Sequence, residues 1–173
     1  MLARRWPSAL ALLMAAATWD SSPRASMAQA LLLFAVGYLV AAAVNRPRLT
    51  WLLAVGVVAA LAMLRLQHWV DPFWVLLVAG LAVLGGALLR RRAGAGQVLL
   101  EGGGLAFFAV VGMVALAVEP EVGRIILGVG WIAHAGWDFA HWWVNRVVSR
   151  SFAEWCGVFD LVGGVSILLL PMA

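Results

Sequence analysis

The chain has 173 residues, 12 basic against 8 acidic side chains for a formal net charge of +4, 65% apolar residues and a mean hydropathy of +0.99. Only 12% of its residues are charged, against about 25% in soluble domains, so an ordinary soluble domain is excluded and one transmembrane domain over residues 1–173 is expected. All basic residues are arginine and Cys156 is the one cysteine, which excludes a lysine Schiff base, a dithiol relay and a multi-cysteine metal or iron–sulfur centre within one chain.

A membrane-spanning helix needs about 20 apolar residues, and the sequence supplies seven candidate helices. They are read at residues 6–19, 27–44, 49–66, 72–89, 96–118, 121–144 and 152–171. The first run follows Arg4 and Arg5 and ends before small residues near Ala25 to Ala28, a pattern that also fits a signal peptide; an uncleaved helix is the preferred reading. Asn45-Arg46-Pro47-Arg48 separates the second and third helices. Asp71-Pro72 and Glu119-Pro120 each read as an N-cap followed by a first-turn proline. Ser151-Phe152-Ala153-Glu154 reads as a capping box opening the seventh helix.

Charge then orients the bundle. Arg4, Arg5, Arg46, Arg48, Arg90, Arg91, Arg92, Arg146 and Arg150 fall at alternate helix ends. The opposite ends carry Arg24, Arg65 and Arg124 beside Asp20, Asp71, Glu119 and Glu121. By the positive-inside rule the N-terminus is expected in the cytoplasm and the C-terminus outside, in a multi-pass protein of the cell inner (plasma) membrane. The arginines are spread over several short loops, which gives no surface for nucleic acid.

Chemistry concentrates late in the chain. His134, Asp138 and His141 lie on one face of the sixth helix, within roughly 60° on the helix wheel, and Trp131 and Asn145 extend the stripe. Ionisable groups inside a bilayer are costly and generally face the protein interior. Depth along the helices places Glu101 of the fifth helix and Asp160 of the seventh at the level of Asp138 and His141, with His134 deeper. Glu101, His134, Asp138, His141 and Asp160 are therefore the candidate catalytic set, and Phe108, Trp131 and Trp137 the candidate substrate-binding aromatics. Trp142, Trp143 and Trp155 fit an interfacial belt instead. His68 and Asp71 read as solvated boundary residues, Cys156 as a small buried hydrophobe and Tyr38 as a tyrosine needing one partner.

Two chemistries fit this set. A desolvated carboxylic acid beside an imidazole can give and take a proton, which suits isomerisation, cyclisation or hydrolysis of a lipid-like or isoprenoid substrate. Alternatively His134, Asp138 and His141 offer ligands to a divalent metal, completed by Glu101 or Asp160, although seven residues separate the two histidines by about 10 Å. The competing functions are a proton-coupled or cation transporter and a non-catalytic assembly subunit in which the polar stripe only clasps helices. Membrane lipid and a lipid-like small molecule are the expected partners.

Overall fold

The computed structural model describes residues 5–18, 23–66, 70–90 and 95–170, and those residues form seven α-helices and no strand. They are α1 (Trp6–Thr18), α2 (Arg24–Val44), α3 (Thr50–Leu66), α4 (Pro72–Leu89), α5 (Ala95–Ala117), α6 (Pro120–Val144) and α7 (Arg150–Leu169), with a short 3₁₀ turn at Pro47–Leu49 before α3. Arg4, Asp20, His68, Arg91 and Arg92 lie outside the described residues.

Local chemistry sets the boundaries. Asp71 caps α4 by accepting the Phe73 amide at 2.9 Å, with Pro72 in the first turn. Glu119 caps α6 in the same way, accepting from the amides of Glu121 and Val122. Asn45 and Asn145 close α2 and α6 in the left-handed region, at φ 53° and 52°, a conformation that asparagine tolerates. Asn145 is thus an exposed C-cap and not part of the polar stripe. The expected capping box of α7 is also corrected. Ser149 is the N-cap and accepts the Phe152 amide, while Ser151 accepts from Trp51 Nε1 and Glu154 accepts from Ser8 and Arg5. Glu154 therefore joins α7 to α1 instead of capping its own helix.

The helices run up and down in alternation. Arg5 meets Glu154, and Thr50 Oγ1 accepts the Ser149 amide, so the starts of α1, α3 and α7 share one end with the ends of α2 and α6. At the opposite end, Arg24 at the start of α2 donates to carbonyls of Ala115 and Val118, and Arg65 at the end of α3 donates to Ser26 and Gln29. Arg124 at the start of α6 donates to the carbonyls of Ile167 and Leu168 at 2.6 and 2.7 Å. The last carbonyls of a helix have no partner within it and carry the negative end of its dipole. Arg24 and Arg124 supply that partner to α5 and α7.

Five helices, α2 to α5 and α7, are long and apolar enough to cross a membrane. The described part of α1 has 13 residues. Seven helices are present, of which five meet that length and apolarity among the described residues. α6 is the longest helix at 25 residues but carries the polar stripe, which lowers its apolarity. α2 lies innermost, with 61% of its apolar window buried, against 11% for the stretch containing α3 and 17% for α4. The outer faces of α3 and α4 present Leu52, Val55, Met63, Trp74 and Val78 outward. Such contiguous apolar surface needs lipid or another chain to cover it.

The most extensive helix pairing is α6 against α7, and glycine makes it possible. A Cβ added at Gly164 would stand 2.8 Å from the Gly128 carbonyl and 2.9 Å from the Ile132 amide. The two backbones touch there, as small residues allow in membrane bundles. Gly136, about two turns beyond Gly128 on the same helix, has open space where its Cβ would stand. Gly164→Ala is expected to destabilise the fold by about 1–3 kcal/mol through overpacking, whereas Gly136→Ala is neutral or slightly stabilising. Thermal unfolding of the purified protein in one detergent compares them, and equal midpoints would contradict this account of the α6–α7 seam.

Candidate functional site

The close α6–α7 approach sets the site. Asp160 sits one turn before Gly164 on α7 and His134 less than one turn after Ile132 on α6, so their side chains meet across the seam. His134 Nδ1 lies 2.7 Å from Asp160 Oδ2. On α6 itself, Asp138 is one turn beyond His134 and brings Oδ2 to 3.4 Å from the same nitrogen, at ion-pair distance but outside hydrogen-bond geometry. All three side chains are fully buried.

A second set forms between α5 and α6. Glu101 accepts from Gln97 Nε2 at 2.8 Å, from Trp137 Nε1 at 3.2 Å and faces His141 Nε2 at 2.8 Å. His141 Nδ1 donates to the Trp137 carbonyl at 2.9 Å. A neutral imidazole has one N–H, yet both His141 nitrogens meet oxygen atoms. The second contact requires one more proton, on the ring or on the Glu101 carboxyl. The Glu101–His141 pair is therefore a place where a proton is held between two groups that can each carry it.

The five acid and base residues read from sequence thus all lie at the α5–α6–α7 junction and are buried, but in two sets and not in one. The three groups able to share a metal ion are His134, Asp138 and Asp160, with ligand atoms within 4.8 Å of one another. His141 stands outside that group and faces Glu101. The helical rise explains the division, since seven residues carry His141 about 10 Å from His134 along the axis.

Aromatic rings enclose both sets. Phe108 packs on His134 with ring centroids 4.5 Å apart, and Tyr38 packs on His141 at 4.8 Å. Trp131 is buried against Phe34 and Phe159, one layer removed from the polar groups. Trp155, expected at an interface, is instead buried and stacked on Phe159 at 5.4 Å. Trp142 carries Arg150 over its ring and Trp143 is exposed, in keeping with a boundary position. Tyr38 and Cys156 were not read from the sequence as site residues. Both are buried beside Asp138, placed there by α2 and α7, and no local pattern around either residue marks it. Gln97 was legible, because it stands four residues before Glu101 on the same helix face.

Two apolar grooves flank the junction. One, of about 460 Å³, runs along the outer face between α5 and α6 and is lined by Gly103, Gly104, Phe107, Phe108, Ala133 and Trp137. The other, of about 410 Å³, lies between α2, α3 and α7, with Phe34 and Trp155 in its wall. In the first groove Phe108 touches His134 and Trp137 touches Glu101, so one side chain separates the groove from each polar set.

Replacing Glu101 tests the second set. Glu101→Leu strands Gln97, Trp137 and His141 together and is expected to cost about 3–5 kcal/mol, the range for breaking a buried pair. Glu101→Gln keeps an oxygen acceptor and is expected to cost clearly less. Denaturant or thermal unfolding followed by tryptophan fluorescence reads the difference, and equal losses would show that these contacts do not hold the helices. No family model, curated protein or solved structure matches the chain.

Proposed function

We propose that the chain is a multi-pass membrane enzyme that carries out acid–base chemistry on a lipid-like or isoprenoid molecule reaching the junction sideways, through the groove between α5 and α6. The observation that carries this reading is the groove wall. Phe108 and Trp137 line an apolar groove on their outer side and touch His134 and Glu101 on their inner side. An apolar molecule seated there would be one side-chain movement away from both sets. A proton delivered to a double bond or an epoxide oxygen by one carboxylic acid, and a proton removed elsewhere on the same molecule by an imidazole, rearranges it and leaves a carboxylate and an imidazolium. Return of that proton from the ring to the carboxylate, as across the 2.8 Å His141–Glu101 contact, resets the site. The faces of Phe108 and Trp137 would stabilise positive charge developing in between. Isomerisation and cyclisation fit that scheme most directly.

The orientation follows from the arginines. Arg5, Arg46, Arg48, Arg90, Arg146 and Arg150 share one end of the bundle and are exposed. Two of the three arginines at the other end, Arg24 and Arg124, are only partly exposed and are engaged with helix carbonyls. The basic end would face the cytoplasm in the inner (plasma) membrane, with Glu101 and His141 in the cytoplasmic half of the bilayer.

The reading is tested in membranes. Lipid extracts of cells expressing the wild type are compared by mass spectrometry with those expressing Asp138→Asn. Asparagine keeps the shape and can hydrogen-bond but cannot titrate. It is expected to leave the protein folded and to lower formation of a wild-type-dependent product by at least about 10²-fold. Gly103→Phe fills the groove from a position where a side chain meets nothing, and is expected to abolish labelling of α5 and α6 by a photoactivatable isoprenoid. A folded, fully active Asp138→Asn protein, or unchanged labelling in Gly103→Phe, would overturn the proposal.

A further inference from the structure

The His134–Asp138–Asp160 set has more acceptor than it has donors. Both Asp138 oxygens, Asp160 Oδ1 and His134 Nε2 are buried without a hydrogen-bond partner. The Tyr38 hydroxyl, buried on α2, is the neighbouring donor that faces Asp138, without closing a well-formed hydrogen bond to it. Four acceptor atoms on three fully buried residues of α6 and α7 thus converge on that one nearby donor. In a polar clasp whose only role is to hold helices together, buried groups satisfy one another. Here the helices are already held by the glycine seam, and the polar atoms at its side are left over.

Charge points the same way. Two carboxylates and one imidazole are enclosed with no arginine in contact with any of them among the described residues. A doubly charged cation would cancel both carboxylates while the imidazole stays neutral, in the part of the molecule where net charge is most costly. The spacing agrees. Ligands about 2.0–2.2 Å from one ion lie roughly 3–4 Å apart; the 3.4 Å between His134 and Asp138 is of that size, the 2.7 Å between His134 and Asp160 is a hydrogen bond whose proton the ion would displace as the pair opens by about half an ångström, and every ligand atom is within 4.8 Å of the others. One imidazole nitrogen with carboxylate oxygens suits Zn²⁺ or Mn²⁺ better than a purely oxygen-seeking ion. Tyr38 would then hold an Asp138 oxygen in place from outside the ligand set, as such neighbours do around bound metals.

We propose that His134, Asp138 and Asp160 bind one divalent transition-metal ion at the α6–α7 seam, while Glu101 and His141 stay outside it as the proton-carrying pair. This deepens the enzymatic reading by giving the two sets different work, but its readout is metal content and does not depend on turnover.

The experiment uses the full chain, expressed with Zn²⁺ or Mn²⁺ in the medium, purified in detergent without chelator and desalted. Metal is then counted by mass spectrometry of the elements. One equivalent of Zn²⁺ or Mn²⁺ per chain is expected, with loss of at least nine-tenths of it in His134→Gln and in Asp160→Asn. Glu101→Gln and His141→Gln are expected to retain it, and Tyr38→Phe to retain it with affinity lowered about 10-fold. Folded wild type without stoichiometric metal, or full metal in Asp160→Asn, would overturn the proposal, as would equal loss in His141→Gln. Where a variant does not fold, pulsed electron paramagnetic resonance of Mn²⁺ in the wild type decides. One coordinated imidazole is expected, and two would assign the ion to the two histidines of the stripe. Absence of metal together with intact, Asp138-dependent product formation would defeat this inference while leaving the acid–base reading in place.

Discussion

Everything near the centre of this bundle depends on the backbone contact between α6 and α7 at Gly128 and Gly164. Side chains at those positions would hold the helices apart by the width of a methyl group or more, since the virtual Cβ of Gly164 already meets backbone atoms under 3 Å away. With α7 moved outward, the 2.7 Å approach of His134 to Asp160 would be lost, and two carboxylates and an imidazole would be left buried and separated. The glycines carry no chemistry themselves. They set the distance at which chemistry becomes possible.

The price of that arrangement is a concentration of polar groups where a bilayer protein tolerates them least. The chain handles it differently in its two sets. Glu101 is fully engaged, with two donors and the His141 ring around one carboxyl, and its pairing with His141 is internally compensated. The His134 set is not compensated by protein groups, and its acceptors outnumber its donors. That contrast is what supports the proposal that one set carries a proton and the other a cation. It also argues against a merely structural clasp, in which both sets would be expected to look like the first.

The arginines show a similar division of labour. Arg24 and Arg124 are drawn into the carbonyl ends of α5 and α7, where they neutralise free acceptors and tie α2 to α5 and α6 to α7. The six described arginines of the other end stand exposed and form a basic rim. A count of charges at the two ends therefore understates the asymmetry, because part of the minority has been absorbed into the fold.

The sequence by itself determined the helices and their order. Apolar runs, Asp71-Pro72 and Glu119-Pro120 marked starts that the structure keeps, because caps and periodicity are local interactions that act within a few residues. It also determined that the polar residues of α6 lie inside, since a bilayer leaves them nowhere else to go. Only the tertiary structure decided which of them meet. His134 and His141 share a helix face, but the rise of the helix parts them, and each takes a carboxylate from a different neighbour. Glu154 left its expected cap for Ser8 and Arg5, Asn145 became a helix stop, and Tyr38 and Cys156 entered the site from helices whose local sequence gives no sign of it. The Asn145 stop is local, but the other outcomes rest on residues from 18 to more than 140 positions apart, whose geometry is set by how closely whole helices can pack.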